Sequence, residues 1–124
     1  MPDLAELGQG STAQGLVDLQ PQLARIRHRF LDRLSERCLE IETCAQQLDR
    51  TGLAAVPVTL IAQQAHKIAG VASTLGFDRL GELSAKTDAQ LPHLANDEDW
   101  TTARSLIEAL LEEIESVLET HAPM

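Results

Sequence analysis

Residues 57–76 read PVTLIAQQAHKIAGVASTLG. Within them Ile61, Ala65, Ile68, Ala72 and Leu75 recur at steps of four, three, four and three, the apolar seam of a helix packed in a left-handed bundle and not the alternation of a strand. Pro57 suits the first residue of a helix, where its missing N–H has no intrahelical acceptor to lose. Gly76 stands where a left-handed C-cap belongs, because glycine reaches positive φ without a Cβ clash. The spacing therefore predicts a helix over about 57–75.

Both flanks follow the same plan. Upstream, Leu23, Ile26, Phe30, Leu34, Cys38, Ile41, Ala45 and Leu48 form one stripe over about 20–48, and the run Asp49-Arg50-Thr51-Gly52 breaks it. Downstream, Leu80, Leu83 and Leu91 mark a helix over about 78–91, closed by Pro92. The acids of Asn96-Asp97-Glu98-Asp99 suit the N-terminus of a last helix over about 98–120, with Trp100, Ala103, Ile107, Leu110, Ile114 and Val117 on one face. Residues 1–19 contain Gly8, Gly10, Ser11 and Gly15 and read as a lead-in holding at most a short helix. The expected fold is an all-α antiparallel four-helix bundle spanning 20–120.

Composition narrows the function. A chain of 124 residues with 44% hydrophobic content suits a single core, which makes a monomer the expectation. The net charge of −9 repels a phosphate backbone, and no basic stripe interleaved with aromatics offsets it, so nucleic-acid binding is not expected. No apolar run approaches the roughly 20 residues of a membrane span, and MPDLAELGQG lacks the features of a leader, so a cytoplasmic protein is expected. Cys38 and Cys44 lie six residues apart on one expected helix, too far apart for a bridge, and are read as reduced, largely buried thiols. His28, His93 and His121 are scattered, so no metal site is expected.

His66 is the residue to which chemistry is assigned. It follows Ala65 of the seam, and a rotation of about 100° turns its imidazole to the edge of the core face, toward solvent. Its helical neighbours Ala62, Ala69, Gly70 and Ser73 are small, Gln63 being the exception. Together these five form an apron on which a visiting protein could dock. Glycine inside a helix costs roughly 1 kcal/mol relative to alanine, so Gly70 is most simply explained by close approach of another molecule. Lys67, one of two lysines in the chain, adds a cation beside this surface that could screen phosphoryl oxygens. Neutral imidazole is a nucleophile at cellular pH, and its phosphoramidate forms and breaks reversibly.

From Ala65 to Leu83 the chain reads A-H-K-I-A-G-V-A-S-T-L-G-F-x-x-L-x-x-L, which resembles the signature of histidine-phosphotransfer (HPt) domains of two-component phosphorelays. The resemblance implies that His66 is the phosphoacceptor, that Gly70, Gly76, Phe77, Leu80 and Leu83 match the family's glycine, turn and following helix, and that Lys67 matches a basic residue common in part of the family. It departs in two places: many members carry lysine where this chain has Ala69, and the acidic residue late in the next helix is Asp88 and not glutamate. A histidine kinase and response-regulator receiver domains are the implied partners. No phosphate-binding glycine loop or kinase motif is present, so the chain is expected to be no enzyme, to need no cofactor, and to leave the Mg²⁺ of transfer on the receiver. The competing readings are an adaptor or inhibitor that binds the same partners without turnover, which Ala69 keeps open, and a helical protein with no signalling role whose motif match is chance.

Overall fold

The computed structural model describes residues 4–121, with side chains from 21 onward. Four helices follow one another: α1 (Leu4–Thr51), α2 (Ala55–Ala72), α3 (Asp78–Gln90) and α4 (Asp97–His121), with a 3-10 turn at Leu91–His93 between the last two. No strand occurs among the described residues. The chain divides into two compact units, residues 1–30 and residues 31–124.

In the larger unit the sequence stripes become one core, as an all-α four-helix bundle requires. Leu34, Ile41, Ala45 and Leu48 of α1, Ile61, Ala65, Ile68 and Ala72 of α2, Leu80 and Leu83 of α3, and Ile107, Leu110 and Ile114 of α4 are all buried. Cys44 is buried but Cys38 is only half-buried, which corrects part of the expectation, and both thiols are free. Cys38 shares its stripe with Leu34 and Ile41, both fully buried; how completely each rung of a stripe is covered depends on the helices packed over it, which spacing along one helix does not encode. Partial burial and the nearby carboxylates of Glu42 and Glu115 push the Cys38 thiol up to about 11.

Residues 1–30 differ from the expectation in two ways. Helix α1 starts at Leu4 and continues through Gly8, Gly10, Gly15 and Pro21, where a lead-in was expected over 1–19. Once a helix is nucleated each added residue gains a hydrogen bond, so local propensity alone was a weak guide. Leu23 and Ile26, placed by their spacing on the buried stripe, are each 45% exposed.

The helix ends are set by local chemistry. Gly76 takes φ +91°, and behind it Gly76 N–H donates to Ser73 O at 3.1 Å and Phe77 N–H to Ala72 O at 2.8 Å. This pair of bonds is a Schellman motif, and it satisfies carbonyls that α2 would otherwise leave bare. Pro57 lies in the first turn of α2, two residues later than its expected place as the first helical residue. Asn96 caps α4, its Oδ1 accepting from Asp99 N–H at 2.8 Å, while Asp99 Oδ2 accepts from Ala95 N–H at 2.8 Å. Between α1 and α4, Asp49 accepts from Trp100 Nε1 at 3.0 Å and from Arg104 Nε at 3.1 Å.

Helix α3 comes close to the C-terminal end of α2 at Gly81. Gly81 of α3 is buried, and a Cβ added there would meet the Oγ of Ser73, the residue that caps the C-terminus of α2. A side chain there would require the Ser73 hydroxyl to rotate away, while the Ser73 backbone nitrogen stands at an ordinary contact distance of 3.4 Å.

Candidate functional site

His66 sits on α2 between the buried Ala65 and Ile68, so its backbone is held by the core while its side chain leaves it. That side chain is 77% exposed. Its Nδ1 lies 2.9 Å from Oδ2 of Asp88 on α3, whose side chain is 37% exposed. An ionised carboxylate can only accept a hydrogen bond, so the ring proton belongs on Nδ1. The lone pair is then on Nε2, the ring nitrogen not engaged by Asp88.

Beside the ring is an open groove of about 400 Å³, lined by Val58, Thr59, Ala62, Gln63, His66, Lys67, Asp88 and Pro92. Its walls are largely apolar, and the imidazole, the ammonium and the carboxylate are the charged or titratable groups among its lining residues. Lys67 is exposed and makes no ion pair among the described residues. A cation lining the same groove as a nitrogen lone pair suits a reaction in which negative oxygens arrive at that nitrogen.

The five expected docking residues separate into two groups. Ala62 and Gln63 line the groove. Ala69 is half-buried and Gly70 and Ser73 are exposed on the C-terminal side of His66, outside the groove. A Cβ at Gly70 would meet nothing within 4 Å, so no packing inside the chain calls for glycine there. Ser73 has an internal contact, the one with Gly81.

Sequence reasoning treated Asp88 only as a departure from a pattern and missed Val58, Thr59 and Pro92. Asp88 follows His66 by 22 positions across a turn, a separation that helical periodicity cannot convert into contact. Pro92 belongs to the 3-10 turn, and nothing in its local sequence points at the groove. Among the described residues no three of histidine, cysteine, aspartate and glutamate gather as a metal site would require, and no helix is long and apolar enough to cross a membrane.

Comparison with known families finds that the model of the Hpt domain matches residues 25–120. No match was found among curated proteins or among solved structures.

Proposed function

The chain belongs to the Hpt-domain family, and from that premise we propose that His66 is its phosphoacceptor, taking a phosphoryl group from a kinase or a receiver aspartate and passing it to a response-regulator receiver domain. The observation that carries the reading is the 2.9 Å contact between His66 Nδ1 and Asp88 on an otherwise exposed ring.

The chemistry runs from the tautomer. Nε2 attacks the phosphorus of an aspartyl phosphate in line; the new N–P bond forms as the P–O bond to the aspartate breaks, and the carboxylate leaves with the bonding pair. The ring, still protonated at Nδ1, becomes an N-phosphorylated imidazolium, and the Asp88 carboxylate stabilises its positive charge. The reverse attack, by a receiver carboxylate on the same phosphorus, returns the neutral imidazole. Asp88 thus positions the ring and needs to move no proton in either direction. Lys67, which lines the same groove as His66, is assigned to screening the phosphoryl oxygens, a task that the more common lysine three positions after the histidine would share.

Docking is assigned to Ala62, Gln63, Ala69, Gly70 and Ser73, whose short side chains, apart from Gln63, leave room for a partner backbone. Mg²⁺ is assigned to the receiver, and the nucleotide to the kinase, so the chain is read as a relay intermediate and not an enzyme. Residues 20–120 are proposed as the transfer domain, with one copy carrying the whole transfer site, and the cytoplasm, where receivers and kinase domains lie, as its place of action.

Incubation with a phosphorylated receiver, or with a kinase and ATP, tests the reading. Wild-type protein is expected to gain acid-labile phosphate on His66, and His66→Gln none; equal labelling of the two proteins would falsify it. Ala69 favours the adaptor as a second reading, and His66→Gln retaining full signalling in cells would select it.

A further inference from the structure

The α2 wall of the groove beside His66 repeats at helical spacing. Thr59, Gln63 and His66 stand at steps of four and three, so their side chains share one face of the helix. The side chains of Thr59 and Gln63 are exposed and hydrogen-bond to no described residue. Ala62, half-buried beside them, is too short to fill the space. The opposite wall has another character. Leu91 is 1% exposed and anchors the 3-10 turn in the core, and Pro92 of the same turn lines the groove without an N–H to offer. Away from His66 the groove runs on into a second one of about 350 Å³, with which it shares Val58, Thr59 and Pro92. Leu53, Ala55, Leu91 and Leu94 line that continuation. Along α2 the distance from Ala55 to His66 is about 16 Å.

We propose that this trough seats a receiver domain and that its lining sets which receivers exchange phosphate with His66. An apolar side chain of the receiver lies between Val58, Ala62 and Pro92, and a polar group beside it hydrogen-bonds to Thr59 and Gln63. The inference rests on the reading of His66 as the phosphoacceptor. Continuity selects the occupant: His66 itself lines the trough, so whatever places a phosphorus atom on Nε2 covers its near end. Reach selects the receiver among phosphate donors. An aspartyl phosphate stands on a side chain with a single methylene, which brings the receiver surface against the residues around the ring. The γ-phosphate of a nucleotide, at the end of its triphosphate, holds a kinase farther off. A small molecule fits less well, since pockets for such ligands enclose most of the ligand surface and this trough is an open groove. Selectivity comes from the two free polar side chains. Covering the Thr59 hydroxyl or the Gln63 amide with an apolar surface leaves it unpaired, so receivers without a matching polar group are rejected. Gly70 lies outside the groove on the other side of His66, so a receiver centred on the ring meets both.

Two donors used side by side test it. Phosphoramidate, whose P–N bond breaks with ammonia leaving as the new bond to His66 Nε2 forms, needs no docking surface. The second donor is a purified receiver domain, phosphorylated on its aspartate and freed of its own donor, chosen from a panel as the one that transfers fastest to wild type. Thr59→Arg places a long charged side chain in the trough. It is expected to raise the apparent KM for the receiver about tenfold with kcat within about twofold of wild type, as when binding is lost and chemistry is not. Thr59→Val removes the hydroxyl and is expected to raise KM about threefold, while Thr59→Ser keeps the wild-type value. All three variants are expected to take phosphate from phosphoramidate at the wild-type rate, which also reports a folded bundle around His66. Leu39→Arg puts the same side chain on an exposed leucine outside the trough and is expected to leave KM unchanged. A Thr59→Arg protein with wild-type KM, equal losses with both donors, or a wild type that phosphoramidate labels but no receiver of the panel does, each overturns the proposal. A wild type labelled on His66 by neither donor overturns the phosphoacceptor reading beneath it.

Discussion

At the scale of single residues, the pairing of His66 with Asp88 carries the strongest expectation. A charge-assisted hydrogen bond contributes about 1.5–3 kcal/mol when desolvated, and its exposure here lowers that to about 1 kcal/mol, or roughly fivefold in rate. Asp88→Ala is therefore expected to slow transfer about fivefold and to move part of the ring proton to Nε2, visible in nitrogen chemical shifts of the imidazole. An unchanged tautomer in that variant would remove Asp88 from the scheme. Gly70 makes a different case, because a side chain there would meet open space. Gly70→Gln is expected to leave thermal stability equal or slightly raised, while increasing the apparent KM for a phosphorylated receiver about tenfold, a loss of about 1.4 kcal/mol in docking. A KM equal to wild type would mean that partners do not approach over this face.

Among the elements, α2 was the most legible, and the reasons lie in its ends. Its seam residues are buried as their spacing required, and Gly76 adopts the left-handed conformation its position implied. A Cβ at φ +91° is strained whatever the space around it, so Gly76→Ala is expected to lower unfolding free energy by about 1–2 kcal/mol in urea titration with the denaturant slope unchanged. A loss below about 0.3 kcal/mol would indicate that the turn relaxes. Helix α1 was the least legible. Its glycines and Pro21 argued locally for a lead-in, and local argument cannot weigh the continuing gain of backbone hydrogen bonds. Gly81 was missed for a related reason: a glycine inside a short helix has no local signature that separates weak propensity from a close approach to Ser73 at the end of another helix.

For the molecule as a whole, the raised Cys38 thiol links stability to alkaline pH. Its folded value near 11 lies above the ordinary 9.0, so between these values the folded chain holds a proton that the unfolded chain releases. Stability from this group is fully present below about pH 9 and is lost as pH rises through about 11. Cys38→Ser, which removes the titrating group, is expected to flatten the decline in melting temperature between pH 9 and 11. A wild type and variant falling in parallel would assign that decline to other groups. Alkylation of Cys38 by iodoacetamide is expected to be slow at neutral pH for the same reason, since the thiolate is the reacting form.

Periodicity, caps and composition by themselves determined that the chain is helical, where three of its four helices begin and end to within about three residues, and that His66 leaves the core on a surface of small side chains. These are properties of neighbours three and four apart, which a helix brings together whatever surrounds it. Only the tertiary structure decided that Asp88 meets the ring at 2.9 Å, that Val58, Thr59 and Pro92 wall a groove beside it, and that Leu23 and Ile26 stay exposed. Each of these depends on which helix faces which and at what height. Those quantities are set by the packing of whole elements, which no local pattern encodes.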